Sequence, residues 1–176
     1  MFNLDKSKAT IKSLTSRIEH HGEERVPASD IKLSVDVPAE MLDGISPGLC
    51  ASLYRKPTRG DQIALIDKKA EQAFTQVRHP GLAPQQLKAK FPGYEIELGD
   101  DLGDAYEQRA FFAESEVKNF TITPRDGGST TVEFTVSVGD VDDEDFIALR
   151  AMQIRGDAVV TLTSPKTQAQ TEQKAA

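Results

Sequence analysis

The amino-acid sequence predicts an α+β protein that is mostly β, with an antiparallel sheet, sandwich or barrel-like, and two or three short helices packed on it. Apolar and polar residues alternate over 30–37 and again over 132–138, the second time directly after an Asp126–Gly128 turn signal. One well-bounded helix is predicted over 142–155. Strands that alternate in this way have one buried and one solvated face, which is typical of antiparallel sheets.

The first hairpin is predicted from residues 8–37. Over 8–19, Ile11, Leu14 and Ile18 do not fit one alternation, which indicates a bulge or an irregular register in this strand. The linking segment His-His-Gly-Glu-Glu-Arg-Val-Pro predicts a turn built around Gly22.

The middle of the chain is less regular. Pro38 ends the second strand, and Ser46 followed by Pro47 resembles a helix N-cap with a first-turn proline. The apolar face of that short helix would hold Leu49, Cys50 and Leu53. Residues 61–78 fit a helix or a strand, and 79–93, with three prolines, resemble a loop, so the secondary structure of 61–92 stays open.

The second half is rich in strands. Tyr94, Ile96 and Leu98 alternate with glutamates, and 106–123 indicate one long or broken strand. The hairpin that follows should anchor the sheet, and 157–163 read as a last strand. Its buried face would hold Phe120 and Ile122 opposite Val132, Phe134, Val136 and Val138.

The helix over 142–155 begins with acids, where the helix dipole favours negative charge, and Arg155 with Gly156 ends it. Its apolar face is predicted to hold Ile147, Ala151 and Ile154, with Phe146 beside them. We expect a single globular domain over 1–164, followed by a disordered C-terminal tail over 165–176, because the tail has almost no apolar content.

The net charge and the amino-acid composition make some classes of function less favoured than others. The net charge is −7, from 21 Lys and Arg against 28 Asp and Glu, and there is no run of basic residues. Duplex binders usually carry a basic patch, so a large duplex footprint is disfavoured, whereas a local groove for a single strand stays open. The single cysteine, Cys50, allows no internal disulfide. With no signal-peptide or membrane-spanning pattern, we expect a cytoplasmic protein that does not meet the membrane.

Motifs for catalysis or metal binding are weak. His20 and His21 are adjacent, so in a strand they point to opposite faces, and we expect a solvated hairpin tip without metal. Glu116-Val117-Lys118, with Asp101 or Asp104 upstream, echoes half of a nuclease motif that occurs often by chance. We therefore expect no enzyme activity, no catalytic residue and no cofactor.

Two kinds of binding surface are candidates. Single-strand binders stack bases on rings beside cations, and this pattern occurs at Tyr54, Arg55 and Lys56 and again at Arg109 and Phe112. The alternative for these rings is an ordinary place in the core. Acidic surfaces can instead pair with a basic protein. The partner-binding candidates are His20, His21, Asp140, Asp142 and Asp143.

The first third of the chain resembles uncharacterised accessory proteins of tailed bacteriophages and prophages. The shared features are a strand, an H-G-E-E turn at 21–24, a "VPA-D-K" strand from Val26 and a short helix ending in Leu53-Tyr54. A later V-x-x-F-x-I-x-P-x-x-G-G stretch over 117–128 also resembles them, whereas 59–92 departs from the pattern. The resemblance implies a small phage accessory protein in a bacterial cell and carries over no catalytic residue.

These observations favour a non-enzymatic accessory protein that handles single-stranded DNA in phage replication or recombination. The alternative is a protein-binding inhibitor of a host defence system or host enzyme. The partner would be single-stranded DNA or a host or phage protein, and a homo-oligomer is possible.

Overall fold

The protein is mostly β, and its described residues form one antiparallel sheet of six strands and three short helices. A computed structural model describes residues 1–57, 74–99, 109–156 and 158–165. The long strands form a closed barrel in the order β1-β2-β7-β6-β5-β8, and β3 pairs with β4 in a separate two-stranded sheet. The elements are β1 (Leu4–His21), β2 (Glu24–Pro38), the 3₁₀ helix η1 (Ala39–Gly44), α1 (Leu49–Leu53), β3 (Tyr54–Arg55), β4 (Gln76–Val77), β5 (Gln85–Gly99), β6 (Arg109–Arg125), β7 (Ser129–Gly139), α2 (Asp143–Arg155) and β8 (Ala158–Thr163).

The chain divides into two compact units. The barrel unit comprises Asn3–Val35, Leu87–Phe120 and Glu133–Ala176, and it contains residues of all six barrel strands. The turn unit comprises Met1–Phe2, Asp36–Gln86 and Thr121–Val132, and it contains both small helices and the turn between β6 and β7. The single domain expected over 1–164 stays a prediction.

The barrel unit is closed by β8, which lies between β1 and β5. Leu162 pairs with Leu4 of β1 and with Ile96 of β5. Along the β1–β2 pairing the register shifts between Ile11 and Ser13. This shift confirms the irregular register that the sequence predicts, and it brings Leu14 opposite the buried Ile31.

In the barrel unit, the buried ring of Phe120 stacks on the ring of Phe134 and meets the ring of Phe91 edge to face. The Phe120 ring lies 5.9 Å from the Phe134 ring and 5.7 Å from the Phe91 ring, centroid to centroid. Both distances fall in the range that stabilises aromatic pairs beyond the area they bury. The alternation predicted for β2, β5 and β7 is confirmed, because its apolar members are buried: Ile31, Leu33, Val35, Val37, Tyr94, Ile96, Leu98, Val132, Phe134, Val136 and Val138.

The turn unit is organised around Tyr54 and the β6–β7 turn. The buried Tyr54 hydroxyl donates to the Ser129 carbonyl at 2.6 Å and accepts from the Arg125 backbone N–H at 3.0 Å. The turn itself is held by the Gly127 N–H, which donates to the Thr75 carbonyl at 2.8 Å. The predicted Asp126–Gly128 turn is therefore confirmed, and another segment of the chain packs against it.

Two predictions for the middle of the chain are wrong. The segment 79–93, which resembles a loop in sequence, is a strand from Gln85; Gly93 adopts a positive φ of 77° within it, and the ring of the half-buried Phe91 packs against Phe120. The short helix begins after Gly48 rather than at Ser46. Cys50 is buried as expected, and burial together with the nearby Asp43 and Glu40 carboxylates raises the pKa of its thiol.

The predicted apolar face of α2 is also wrong. Ile147 and Ile154 are 63% and 77% exposed, and the helix instead buries Ala148, Leu149 and Met152. Both sides of this helix carry apolar residues, so periodicity alone selects the wrong one. The predicted ends are confirmed, with Asp142 as N-cap and Gly156 as C-cap.

Several predictions lie outside the described residues. They are the choice between helix and strand over 61–73, the start of the long strand at 106–108, Asp157 at the start of the last strand, and the tail from 166 to 176.

Candidate functional site

A network of charged side chains crosses four strands of the barrel unit. Asp30 alternates with the buried Ile31 on β2, so its carboxylate lies on the solvated face of the strand. It accepts hydrogen bonds from the Arg17 guanidinium of β1 and from the Ser137 hydroxyl of β7. The Lys118 ammonium of β6 lies 3.6 Å from the same carboxylate. Four neighbouring strands therefore converge on one half-buried acid.

These partners set the charge of the network. Partial burial alone would raise the pKa of Asp30, but the Ser137 hydroxyl, Arg17 and Lys118 outweigh it, so the pKa of Asp30 lies below its ordinary value. Burial alone would lower the pKa of Arg17, but Glu19 and Asp30 outweigh it and raise that pKa. Asp30 and Arg17 are therefore both ionised at neutral pH.

Beside this network lies an open groove of about 650 Å³. Among the described residues, its lining holds one cation, Arg17, against five carboxylates, so this part of the groove is strongly acidic. We call it the acidic groove, and its carboxylates are those of Glu19, Glu24, Glu114, Glu116 and Asp140.

Two of the five carboxylates already form ion pairs with cationic side chains of the chain. Glu19 is paired with Arg17, and the Glu116 carboxylate lies 3.7 Å from the Lys118 ammonium and 3.9 Å from that of Lys90. The other three, from Glu24, Glu114 and Asp140, form no ion pair and no side-chain hydrogen bond within the described ranges. The groove thus offers three acids whose charge is uncompensated.

Two of these three acids sit on left-handed backbone. Glu114 has φ of 55° and Asp140 has φ of 53°, a conformation that favours glycine and that costs other residues about 1–2 kcal/mol. Such backbone is concentrated at functional sites in proteins. At both positions the chain carries a carboxylate where glycine would be less strained.

The two rings predicted to stack on bases are buried. Tyr54 lies in the core of the turn unit, and Phe112 is buried in the barrel unit, so neither presents a face to a ligand. The neighbouring Phe111 is 59% exposed instead. The pair Phe111-Phe112 must split between the two faces of β6, and the sequence does not indicate which ring points inward.

The cations predicted beside those rings have partners of their own. The Lys56 ammonium lies 5.6 Å from the centre of the Phe74 ring, within range of a cation–π contact. Arg109 lies 3.2 Å from the Glu97 carboxylate, and Arg55 is half-buried. Arg55 and Lys56 belong to the turn unit and Arg109 to the barrel unit.

Of the predicted partner-binding residues, Asp140 lines the acidic groove. Asp142 has a structural role, because its carboxylate accepts from the Asp145 backbone N–H at 2.7 Å and caps α2. Asp143 is exposed in the first turn of that helix. His20 is exposed near the end of β1, and His21 pairs with Glu24 across the hairpin end.

The acids that the sequence prediction misses are Glu19, Glu24, Glu114 and Glu116. Glu24 lies in the H-G-E-E turn, and the other three are spread over two distant strands. Only the strand order β1-β2-β7-β6 brings them to one groove. No local motif signals this convergence.

No group of three histidine, cysteine, aspartate or glutamate side chains in the described part of the chain is placed to hold a metal ion. The possible nuclease half-motif places Lys118 beside Glu116 and Asp30, while Asp101 and Asp104 lie outside the described residues. None of the described helices is both long enough and apolar enough to cross a membrane.

Comparison with known proteins finds no matching family model, no similar curated protein and no similar solved structure. The resemblance to phage accessory proteins stays a prediction from the sequence.

Proposed function

We propose that the protein is a non-enzymatic binding protein whose acidic groove takes a positively charged segment of a partner protein. The observation that carries this proposal is the groove lining, with five carboxylates against one arginine. Complementary charge across an interface raises association rates and excludes wrong partners. The proposal develops the alternative from the sequence, a protein-binding inhibitor of a host factor, with the phage context as its setting in the bacterial cytoplasm.

The geometry favours this function over the handling of single-stranded DNA. A groove that binds a single strand needs cations along the phosphates and rings for the bases. The acidic groove would repel phosphates, and both predicted rings are buried. DNA handling stays a prediction from the sequence and becomes one outcome of the test below.

The expected strength of binding follows from the three uncompensated acids. An exposed ion pair contributes about 0.2–1 kcal/mol, so three new pairs at Glu24, Glu114 and Asp140 would add up to about 3 kcal/mol. A change of 1.4 kcal/mol is tenfold in affinity. We therefore expect binding to be sensitive to salt and to weaken about 3-fold to 100-fold when the three acids are neutralised.

The test uses fluorescence anisotropy with three labelled probes: a peptide of alternating arginine and serine, its glutamate–serine counterpart, and a single-stranded oligonucleotide. The groove variant combines Glu24→Gln, Glu114→Gln and Asp140→Asn. The control variant combines Asp5→Asn, Glu40→Gln and Glu95→Gln, which are described residues outside the groove lining. Both variants neutralise three carboxylates, so both take the net charge from −7 to −4.

We expect the wild type and the control variant to bind the arginine peptide with similar affinity and the groove variant to bind it more weakly. Equal loss in both variants would mean that overall charge, and not the groove, attracts the peptide. Binding of the oligonucleotide in preference to the arginine peptide would overturn the proposal in favour of single-strand handling.

A further inference from the structure

The first residues of β6 extend past the end of the neighbouring strand β7. β6 has 17 residues and β7 has 11, and the Asp126–Gly128 turn joins the end of β6 to the start of β7. β7 therefore ends before it reaches the first residues of β6. Val141, just after β7, donates its backbone N–H to the Pro27 carbonyl of β2 at 3.1 Å, and the chain then enters α2. At this point the chain follows β2 and leaves the sheet.

The strand edge that stays open is the backbone of Ala110–Ala113. On its other side β6 is paired with β5, where Arg109 lies 3.2 Å from the Glu97 carboxylate. In the described part of the chain, β6 has no strand neighbour besides β5 and β7, and no loop or helix residue forms a backbone hydrogen bond with Ala110–Ala113. Such an edge presents N–H and C=O groups that can pair with an extended segment of another chain.

This open edge lies beside the acidic groove. Ala113 at its end lines the groove, as does the next residue, Glu114. Phe111 and Ala113 are exposed and alternate with the buried Ala110 and Phe112, so they share the solvated face of β6. Phe111 is 59% exposed, and it therefore adds an aromatic surface to the face on which Ala113 borders the groove.

We propose that the partner segment binds as an added β-strand along Ala110–Ala113, with every second side chain an arginine that lies over Phe111 or enters the acidic groove. The inference rests on the proposed function and specifies the conformation and the sequence pattern of the segment. Side chains two residues apart in a strand share one face, so alternating arginines all meet the solvated face of β6. Arginine suits this surface better than lysine, because its guanidinium stacks on aromatic rings and pairs with carboxylates.

The first experiment tests the backbone of the segment by fluorescence anisotropy with the arginine–serine peptide and two N-methylated versions of it. One version is methylated at the backbone nitrogen of every arginine and the other at that of every serine, so all three carry the same charge. In an added strand only alternate residues direct their N–H groups toward β6. We expect one methylated peptide to bind about tenfold or more weakly, because it loses these hydrogen bonds, and the other to bind like the parent peptide.

The second experiment tests the ring of Phe111. We expect the wild type to prefer the arginine–serine peptide over a lysine–serine peptide of the same length by about 2-fold to 5-fold. Phe111→Ser should remove this preference. Leu82→Ser, at a leucine that is 57% exposed in the turn unit, should retain it.

The outcomes separate strand addition from groove binding. Equal binding of all three arginine peptides, or equal weakening by both methylations, would overturn strand addition. The proposed function would then still be supported if the groove variant binds the parent peptide more weakly than the control variant does. A Phe111→Ser protein that keeps the wild-type preference for arginine would overturn the placement of arginine over the ring, and a parent peptide that does not bind would overturn both proposals.

Discussion

The two β-hairpins of this protein share the same turn chemistry but differ in what surrounds their tips. Gly22 at the first tip and Gly128 at the second both adopt positive φ, 70° and 82°. A Cβ added at Gly22 would meet nothing within 4 Å, whereas one at Gly128 would lie 3.1 Å from the Phe74 carbonyl oxygen. A glycine turn motif thus predicts that the chain reverses, and it says nothing about whether other segments pack on the turn.

The first hairpin is instead held along its stem. Arg17 of β1 reaches Asp30 of β2, one diagonal step from its register partner Ala28. The second hairpin is held at its tip by backbone hydrogen bonds, including the Ala39 N–H to the Gly128 carbonyl at 2.9 Å. One hairpin therefore depends on ionised side chains, and the other depends on close backbone packing.

The largest effect should come from the stem of the second hairpin. Phe134→Ala should lower the free energy of unfolding by about 3–5 kcal/mol, because Phe134 is fully buried and stacks on Phe120. Glu133→Ala, on the opposite face, should cost under about 1 kcal/mol, since it removes only a half-exposed ion pair with Lys32. Urea melts of both variants measure the difference, and equal losses would mean that the face assignment of β7 is wrong.

Substitutions at the two hairpin tips should lower the free energy of unfolding by smaller and unequal amounts. Gly22→Ala should cost about 1 kcal/mol through left-handed strain alone. Gly128→Ala should cost about 2 kcal/mol or more, because the new methyl group also crowds the Phe74 carbonyl. Thermal melts of the two variants compare them directly. If Gly22→Ala proves the more costly, the first tip is packed after all.

The smallest change in stability should come from the Arg17–Asp30 ion pair between β1 and β2. Asp30→Asn should destabilise the protein by about 1 kcal/mol at pH 7, a value reduced by solvent screening of this one-third exposed group. The pKa of Asp30 is lowered in the folded protein, so its stabilisation is present above the ordinary carboxyl pKa of about 3.9 and is lost as pH falls through the folded pKa.

Chemical melts at pH 7 and near pH 3 should therefore show the gap between wild type and Asp30→Asn narrowing with acid. Asp5→Asn, at an exposed residue of β1, serves as the control. A gap that stays constant with pH would show that Asp30 acts through its shape and not through its charge.

Much of the fold could be predicted from sequence because alternation and turn residues are local signals. The alternation in β2 and β7, the turns at Gly22 and Asp126–Gly128 and the two caps of α2 are each encoded within a few neighbouring residues. The strand through Pro92-Gly93 could not be predicted, because proline and glycine usually interrupt strands.

The candidate site was predictable only in part. Asp140 could be predicted because it belongs to a run of acids in the sequence. Within that run, partial burial and the neighbouring carboxylates of Asp142, Glu144 and Asp140 raise the pKa of Asp145. Glu114 has no distinguishing motif in sequence, and Glu116 stands out only through the weak Glu116-Val117-Lys118 half-motif. They become part of a site only through the register of distant strands, and that register has no local signature.

The closure of the barrel by β8 has a consequence for how the chain folds. Four of the six residues of β8 pair with β1, which precedes them by about 150 positions, as in Leu4 with Leu162. Contacts so far apart in sequence form slowly, because the loop entropy must be overcome before they contribute. Until β8 inserts, β1 and β5 each present an unpaired strand edge, and open edges promote aggregation. The short last strand therefore governs how long the nascent protein stays vulnerable.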